Sequence, residues 1–89
     1  MAEKIANYQL SQKFKKQYNA LPKEIQNAFD KKLMLFLENR AHPSLRVKRI
    51  QGTKSRWEGS VTMNYRFTFE FLEDTVFFRT IGTHDILKR

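Results

Sequence analysis

The spacing of apolar residues along the chain switches repeatedly between a period of two and a period near 3.6, and each switch marks an element. Residues 5–10 alternate Ala6, Tyr8 and Leu10 against Ile5, Asn7 and Gln9, which predicts a short first strand. Ser11 can cap a following helix through its hydroxyl. Phe14, Tyr18 and Leu21 then recur at i, i+4 and i+7, while Lys13, Lys15 and Lys16 point away. Pro22 suits the first turn of a second helix, where its missing N–H costs nothing. Ile25, Ala28, Phe29, Leu33, Phe36 and Leu37 form the apolar stripe of that helix, and His42-Pro43 stops it.

From there the period returns to two. Residues 45–51 read as a basic strand, with Leu45, Val47 and Ile50 set imperfectly against Arg46, Lys48 and Arg49. Residues 52–55 turn into a strand from Trp57 to Val61, in which Gly59 signals a bulge or a close backbone approach. After a turn at Thr62-Met63-Asn64, Tyr65, Phe67, Phe69 and Phe71 alternate with Arg66, Thr68 and Glu70. A turn at Glu73-Asp74 leads to Val76–Ile81, and Gly82-Thr83 is expected to turn the backbone and expose His84 at the strand end. Strand, two helices, then four strands predict one α+β domain over residues 1–89. In it a helical hairpin packs on one face of a twisted, mostly antiparallel sheet.

Charge changes this picture by giving the sheet a partner. Residues 41–57 hold Arg46, Lys48, Arg49, Lys54 and Arg56 with no acidic residue, the densest positive stretch in a chain of net charge +8. A polyanion, nucleic acid or an acidic protein segment, is the partner such a patch fits. Eight phenylalanines argue for a packed core rather than disorder. No apolar run approaches the length of a membrane span, and the absence of a secretory leader points to the cytoplasm. With no cysteine, and with Glu58, Glu70, Asp74 and Asp85 at no recognised ligand spacing, neither a metal nor a cofactor is expected.

The candidate chemistry lies on the polar side of the aromatic strands. His84 is the group best suited to pass protons near neutrality. Arg66 can bind phosphate with its guanidinium fork, or form a cross-strand pair with Glu58 or Glu70, and Arg79 has the same two readings. His42 can serve as a second proton carrier or simply end its helix. Trp57 and Tyr65 can stack on bases or fill the core.

The order of these elements, the Asn64-Tyr65-Arg66-Phe67 segment after a short turn, and the ending Arg79-Thr80-Ile81-Gly82-Thr83-His84 resemble the RelE/ParE superfamily of toxins from bacterial type II toxin–antitoxin modules. The Gly-Thr-His ending is similar above all to the RelE- and YafQ-like mRNA interferases. That resemblance implies a cytoplasmic endoribonuclease that enters the ribosome and cuts mRNA there, held inactive by a cognate antitoxin. In the implied reaction the 2′-OH attacks the adjacent phosphate, with His84 transferring a proton and Arg66 stabilising the charged phosphorane. Asp85, Glu58 and His42, in that order, are the implied second proton carriers. Lys48, Arg49, Lys54 and Arg56, with Arg46 and Arg79 beside them, would hold RNA backbones. The chain departs from the family pattern at Trp57 and Gly59, where some members carry lysines, and at Leu87-Lys88-Arg89, where many carry an aromatic. A gyrase-directed toxin of the ParE branch, and a binding module without activity, are the competing expectations.

Overall fold

The computed structural model describes residues 7–39, 42–53 and 55–83. Strand β1 (Asn7–Leu10) leads into helix α1 (Gln12–Asn19) and helix α2 (Lys23–Glu38). A short 3-10 turn (Pro43–Leu45) then precedes β2 (Lys48–Arg49), β3 (Arg56–Ser60), β4 (Tyr65–Leu72) and β5 (Thr75–Thr83). The five strands form one sheet in the order β1-β5-β4-β3-β2. Only β1 runs parallel to its neighbour; the other three pairings are antiparallel. This is the expected α+β two-layer arrangement. No helix among the described residues is long and apolar enough to cross a membrane.

Local chemistry explains the element boundaries. Ser11 caps α1, its Oγ accepting the Phe14 N–H at 2.9 Å. Pro22 sits just outside α2, where its fixed φ lets its carbonyl accept from Ile25 N–H at 2.9 Å and Gln26 N–H at 3.0 Å. The core lies between the helices and one face of the sheet. Phe14, Phe29 and Phe36 from the helices meet Phe67, Phe69, Val76, Phe78 and Ile81 from β4 and β5, all buried. Phe36 packs edge-on to Phe69 with ring centroids 4.9 Å apart, and Phe29 edge-on to Phe67 at 5.5 Å.

Two local expectations are corrected, and the structure chooses between the two readings of a third, Gly59. The predicted basic strand over 45–51 shrinks to Lys48–Arg49, because Pro43 starts a 3-10 turn that drops Leu45 into the core. Arg46 then takes a left-handed conformation (φ 49°) to leave that turn. Gly82 and Thr83 do not turn the chain, for they remain in β5, opposite Arg66 and Tyr65. The bulge expected at Gly59 lies instead in β5. There Thr68 faces Thr80 and Phe69 faces Phe78, which leaves Arg79 as the extra residue. Gly59 answers to its other reading, since a Cβ there would collide with the Phe67 ring lying across it.

Candidate functional site

Because side chains alternate along each strand, the sheet presents a second face turned away from the helices. The register assigns it residue by residue. Lys48 lies opposite Glu58, Glu58 opposite Thr68, and Thr68 opposite Thr80. One step along, Ser60, Arg66 and Gly82 form the next row, and Arg56, Glu70 and Phe77 form the row on the other side. The bulge at Arg79 turns its side chain onto this face as well, since it reaches Glu70.

Arg66 is the cation this face holds most deliberately. Its Nη1 donates to Ser60 Oγ at 2.8 Å and to the Thr62 carbonyl at 3.0 Å, so the β3–β4 turn grips one edge of the fork. Ser60 Oγ itself donates to the Thr62 carbonyl at 2.9 Å. Thr62 Oγ1 completes the turn by accepting the backbone N–H groups of Asn64 and Tyr65, each at 3.3 Å. Among the described residues no carboxylate pairs with Arg66. Opposite it on β5 stands Gly82, so no side chain from that strand lies over the guanidinium at that position. The short polar residues around the turn create an aimed, half-buried cation.

Both carboxylates of this face are paired with cations. Arg79 Nη1 pairs with Glu70 Oε2 at 2.7 Å, and Glu70 Oε1 accepts from Ser55 Oγ at 3.0 Å. Of its two sequence readings, the ion pair is the one the geometry realises. Glu58 is buried, its side chain 7% exposed, and its Oε1 lies 3.5 Å from Lys48 Nζ, whose own side chain is 74% exposed. Thr68 and Thr80 join hydroxyls between Glu58 and the bulge. Glu58 is one diagonal step from Arg66, a separation of about 7–8 Å in an ideal ladder. A carboxylate and an arginine thus flank one strip of the face.

The basic patch is divided rather than continuous. Lys48 and Arg56 stand exposed on the open face. Arg49 lies opposite Trp57 and so belongs to the helix side, and Arg46 sits in the turn before β2. Trp57 and Tyr65 also fall on the helix side, half-buried against the core, with Trp57 edge-on to Phe71 at 6.3 Å. Of their two readings, core packing matches this placement. His42 accepts the Ser44 N–H through Nδ1 at 3.2 Å and so caps the 3-10 turn, while α2 has already ended at Glu38. His84, Asp85 and Lys54 lie outside the described residues. The last described residue of β5, Thr83, is paired with Tyr65, directly beside Arg66.

No protein-family model matches the chain, and no curated protein sequence matches it. Solved structures do. YafQ from Escherichia coli strain BL21(DE3) superposes with a TM-score of 0.75 at 16% identity, covering 90% of this chain and 94% of its own. The toxin–antitoxin complex RelB–RelE from Methanococcus jannaschii matches with a TM-score of 0.74 at 19% identity, over 89% and 93%. The fold is that of the RelE/ParE toxins. A YoeB/ParE toxin from Agrobacterium tumefaciens shares it too, with a TM-score of 0.73 at 8% identity over 88% of this chain and 98% of the other. At such identities the RelE-like fold is common ground while the side chains on its open face are free to differ.

Sequence reasoning missed Ser60 and Thr62, which hold Arg66, and the bulge that turns Arg79 towards Glu70. One signal was present. Val76, Phe78 and Ile81 are spaced by two and then three, a break in strand parity that a bulge alone reconciles with burial of all three.

Proposed function

We propose that this chain is the toxin of a toxin–antitoxin pair, and that it is an endoribonuclease acting on mRNA at the ribosome in the cytoplasm. The observation that carries the reading is Arg66. It is held by Ser60 and Thr62, paired with no carboxylate among the described residues, and set half-buried on the sheet face turned away from the helices, beside the end of β5. The RelE-like fold, seen in RelE complexed with its antitoxin RelB, supports the toxin assignment.

In the proposed reaction the 2′-oxygen of one nucleotide forms a bond to its 3′-phosphorus as the bond to the leaving 5′-oxygen breaks. Negative charge builds on the non-bridging oxygens, and the free edge of the Arg66 fork stabilises it. His84 transfers a proton, with Asp85 or Glu58 as the second carrier. Glu58 is suited to this by its burial one diagonal step away. Lys48 and Arg56, together with Arg46, Arg49 and Lys54, contact the RNA backbones. An antitoxin segment rich in acidic residues would compete for the same cations.

The test is to map mRNA 5′ ends after a brief pulse of expression in a bacterial host. New cuts within translated regions are expected from the wild type, and none from Arg66→Ala or His84→Ala at matched expression. Cuts that persist in both variants overturn the site. The match to a YoeB/ParE toxin keeps a second reading open, a toxin acting on DNA gyrase. Growth arrest with intact mRNA and gyrase-linked DNA breaks would establish that reading instead.

A further inference from the structure

Strand β1 runs out before β5 does. Its last residue, Leu10, lies opposite Phe78, so beyond the bulge that edge of β5 has no strand beside it among the described residues. The chain turns into α1 at this point, and α1 takes over the hydrogen bonds that β1 leaves unmade. Ser11 N–H donates to the Phe78 carbonyl at 3.0 Å, and Ser11 Oγ donates to the Arg79 carbonyl at 2.7 Å. Further along, Gln17 Oε1 accepts the Ile81 N–H at 3.0 Å. Gln17 is a polar residue next to the apolar stripe of Phe14, Tyr18 and Leu21, and this bond explains why it is there.

The helix making these bonds is itself fixed. Gln26 Nε2 donates to the Tyr18 carbonyl at 2.8 Å, and Tyr18 OH donates to Asp30 Oδ1 at 2.7 Å, so α1 is tied to α2 on its other side. The opposite edge of β5 pairs Gly82 with Arg66 and Thr83 with Tyr65. The end of β5 is thus held between Gln17 and the strand that carries Arg66.

We infer that Gln17 is a positioning residue for the cleavage reaction: its side-chain oxygen pins the Ile81 amide and so fixes the strand end that leads to His84 against Arg66. The inference rests on the nuclease reading above. A strand end with one unpaired edge frays, and small displacements of a proton-transfer group from its target are costly in rate. A side-chain acceptor on a rigid helix removes that freedom without adding a strand.

The test compares Gln17→Leu, which removes the acceptor, with Gln17→Glu, which keeps an oxygen at the same reach. Purified proteins are assayed for cleavage of a reporter mRNA in a cell-free translation mixture, and exchange of the Ile81 amide is followed by NMR. Gln17→Leu should speed Ile81 exchange by about tenfold or more. It should lower kcat by roughly 10- to 100-fold with KM little changed, because no basic residue is touched. Gln17→Glu should restore both. Gln17→Asn, one methylene short of the amide, should behave like Gln17→Leu and serves if that variant folds poorly. Rapid Ile81 exchange with undiminished kcat overturns the positioning role, as does equal loss in the Glu and Leu variants. Unchanged exchange in Gln17→Leu overturns the bond itself. Wild-type protein that cuts no mRNA overturns the nuclease reading and the inference with it, and the exchange data distinguish that outcome from failure of the bond.

Discussion

The two faces of this sheet are built from the same three strands under opposite rules. On the helix side, the side chains of Phe67, Phe69, Val76, Phe78 and Ile81 are sealed beneath those of Phe14, Phe29 and Phe36 in one hydrophobic cluster. On the open side, Glu58, Ser60, Thr68 and Glu70 are satisfied by Lys48, Arg66, Thr80 and Arg79 respectively, with Ser55 also on Glu70. The difference separates stability from function. Hydrophobic burial is non-directional and accumulates over the aromatic cluster, whereas hydrogen bonds and ion pairs near water add little net stability. An exposed residue on the open face, such as Lys48, can therefore be lost with the fold intact.

The sharpest way to break that contrast is to damage each face once. Phe36→Ala removes a fully buried ring that touches Phe67, Phe69, Phe71 and Phe78. It should cost about 3–5 kcal/mol, enough to unfold much of a domain of this size under mild denaturant. Arg66→Ala, by contrast, should leave the stability within about 1 kcal/mol of wild type, since Ser60 Oγ keeps its bond to the Thr62 carbonyl. It should nevertheless lower mRNA cleavage by roughly 100- to 1,000-fold, the usual loss when one fixed donor to a developing oxyanion is removed. Urea titration beside a cleavage assay reads both. An Arg66→Ala protein as unstable as Phe36→Ala would mean that the open face also supports the fold.

The same asymmetry governs what could be read from the sequence. Apolar periodicity reports burial, so the helix-side face was legible: Phe14, Phe29, Phe36, Phe67 and Phe69 stand where their spacing put them. The open face obeys no such period. Arg66 could be placed on it, but the choice between anion site and ion pair depended on which acceptors lay nearby. The sequence did not show that the β3–β4 turn brings Ser60 and Thr62 to the guanidinium. The basic segment misled for a related reason: charge density along the chain says nothing of facing, and a two-residue strand sends Lys48 and Arg49 to opposite sides. Trp57 and Tyr65 were ambiguous because an aromatic at strand spacing fits a core and a base equally well.

Gly59 sharpens the comparison from within the covered face. The Phe67 ring lies over it and is itself held by Phe29 at 5.5 Å and Phe36 at 6.1 Å, so the ring cannot withdraw to admit a methyl group. Gly59→Ala should cost about 1–3 kcal/mol through overpacking, despite adding apolar surface and strand propensity. A thermal melt with an unchanged or raised midpoint would show that the ring has room after all, and that the cluster is looser than its contacts imply.

The smallest effect belongs to one of the two polar bonds that join the helices among the described residues. Tyr18 OH donates to Asp30 Oδ1, and this bond, with partial burial and the Asp30 charge, pushes the phenol up to about 12 from its ordinary value of 10.0. The sign follows from which form the fold prefers. The folded state holds the proton more tightly than the unfolded chain, so the contribution is complete below pH 10 and declines as pH rises towards 12, where the phenolate would face a carboxylate. Tyr18→Phe keeps the ring against Phe29, with centroids 6.0 Å apart in the wild type, and removes only the hydroxyl. At neutral pH it should be less stable by about 0.5–1.5 kcal/mol, the ordinary worth of such a bond. Between pH 10 and 12 the two stability curves should converge, because the wild type alone is losing this term. Parallel curves across that interval would mean that the bond does not discriminate between the protonated and ionised phenol. The polar tie between the helices would then rest on the bond from Gln26 Nε2 to the Tyr18 carbonyl, which has no titrating group.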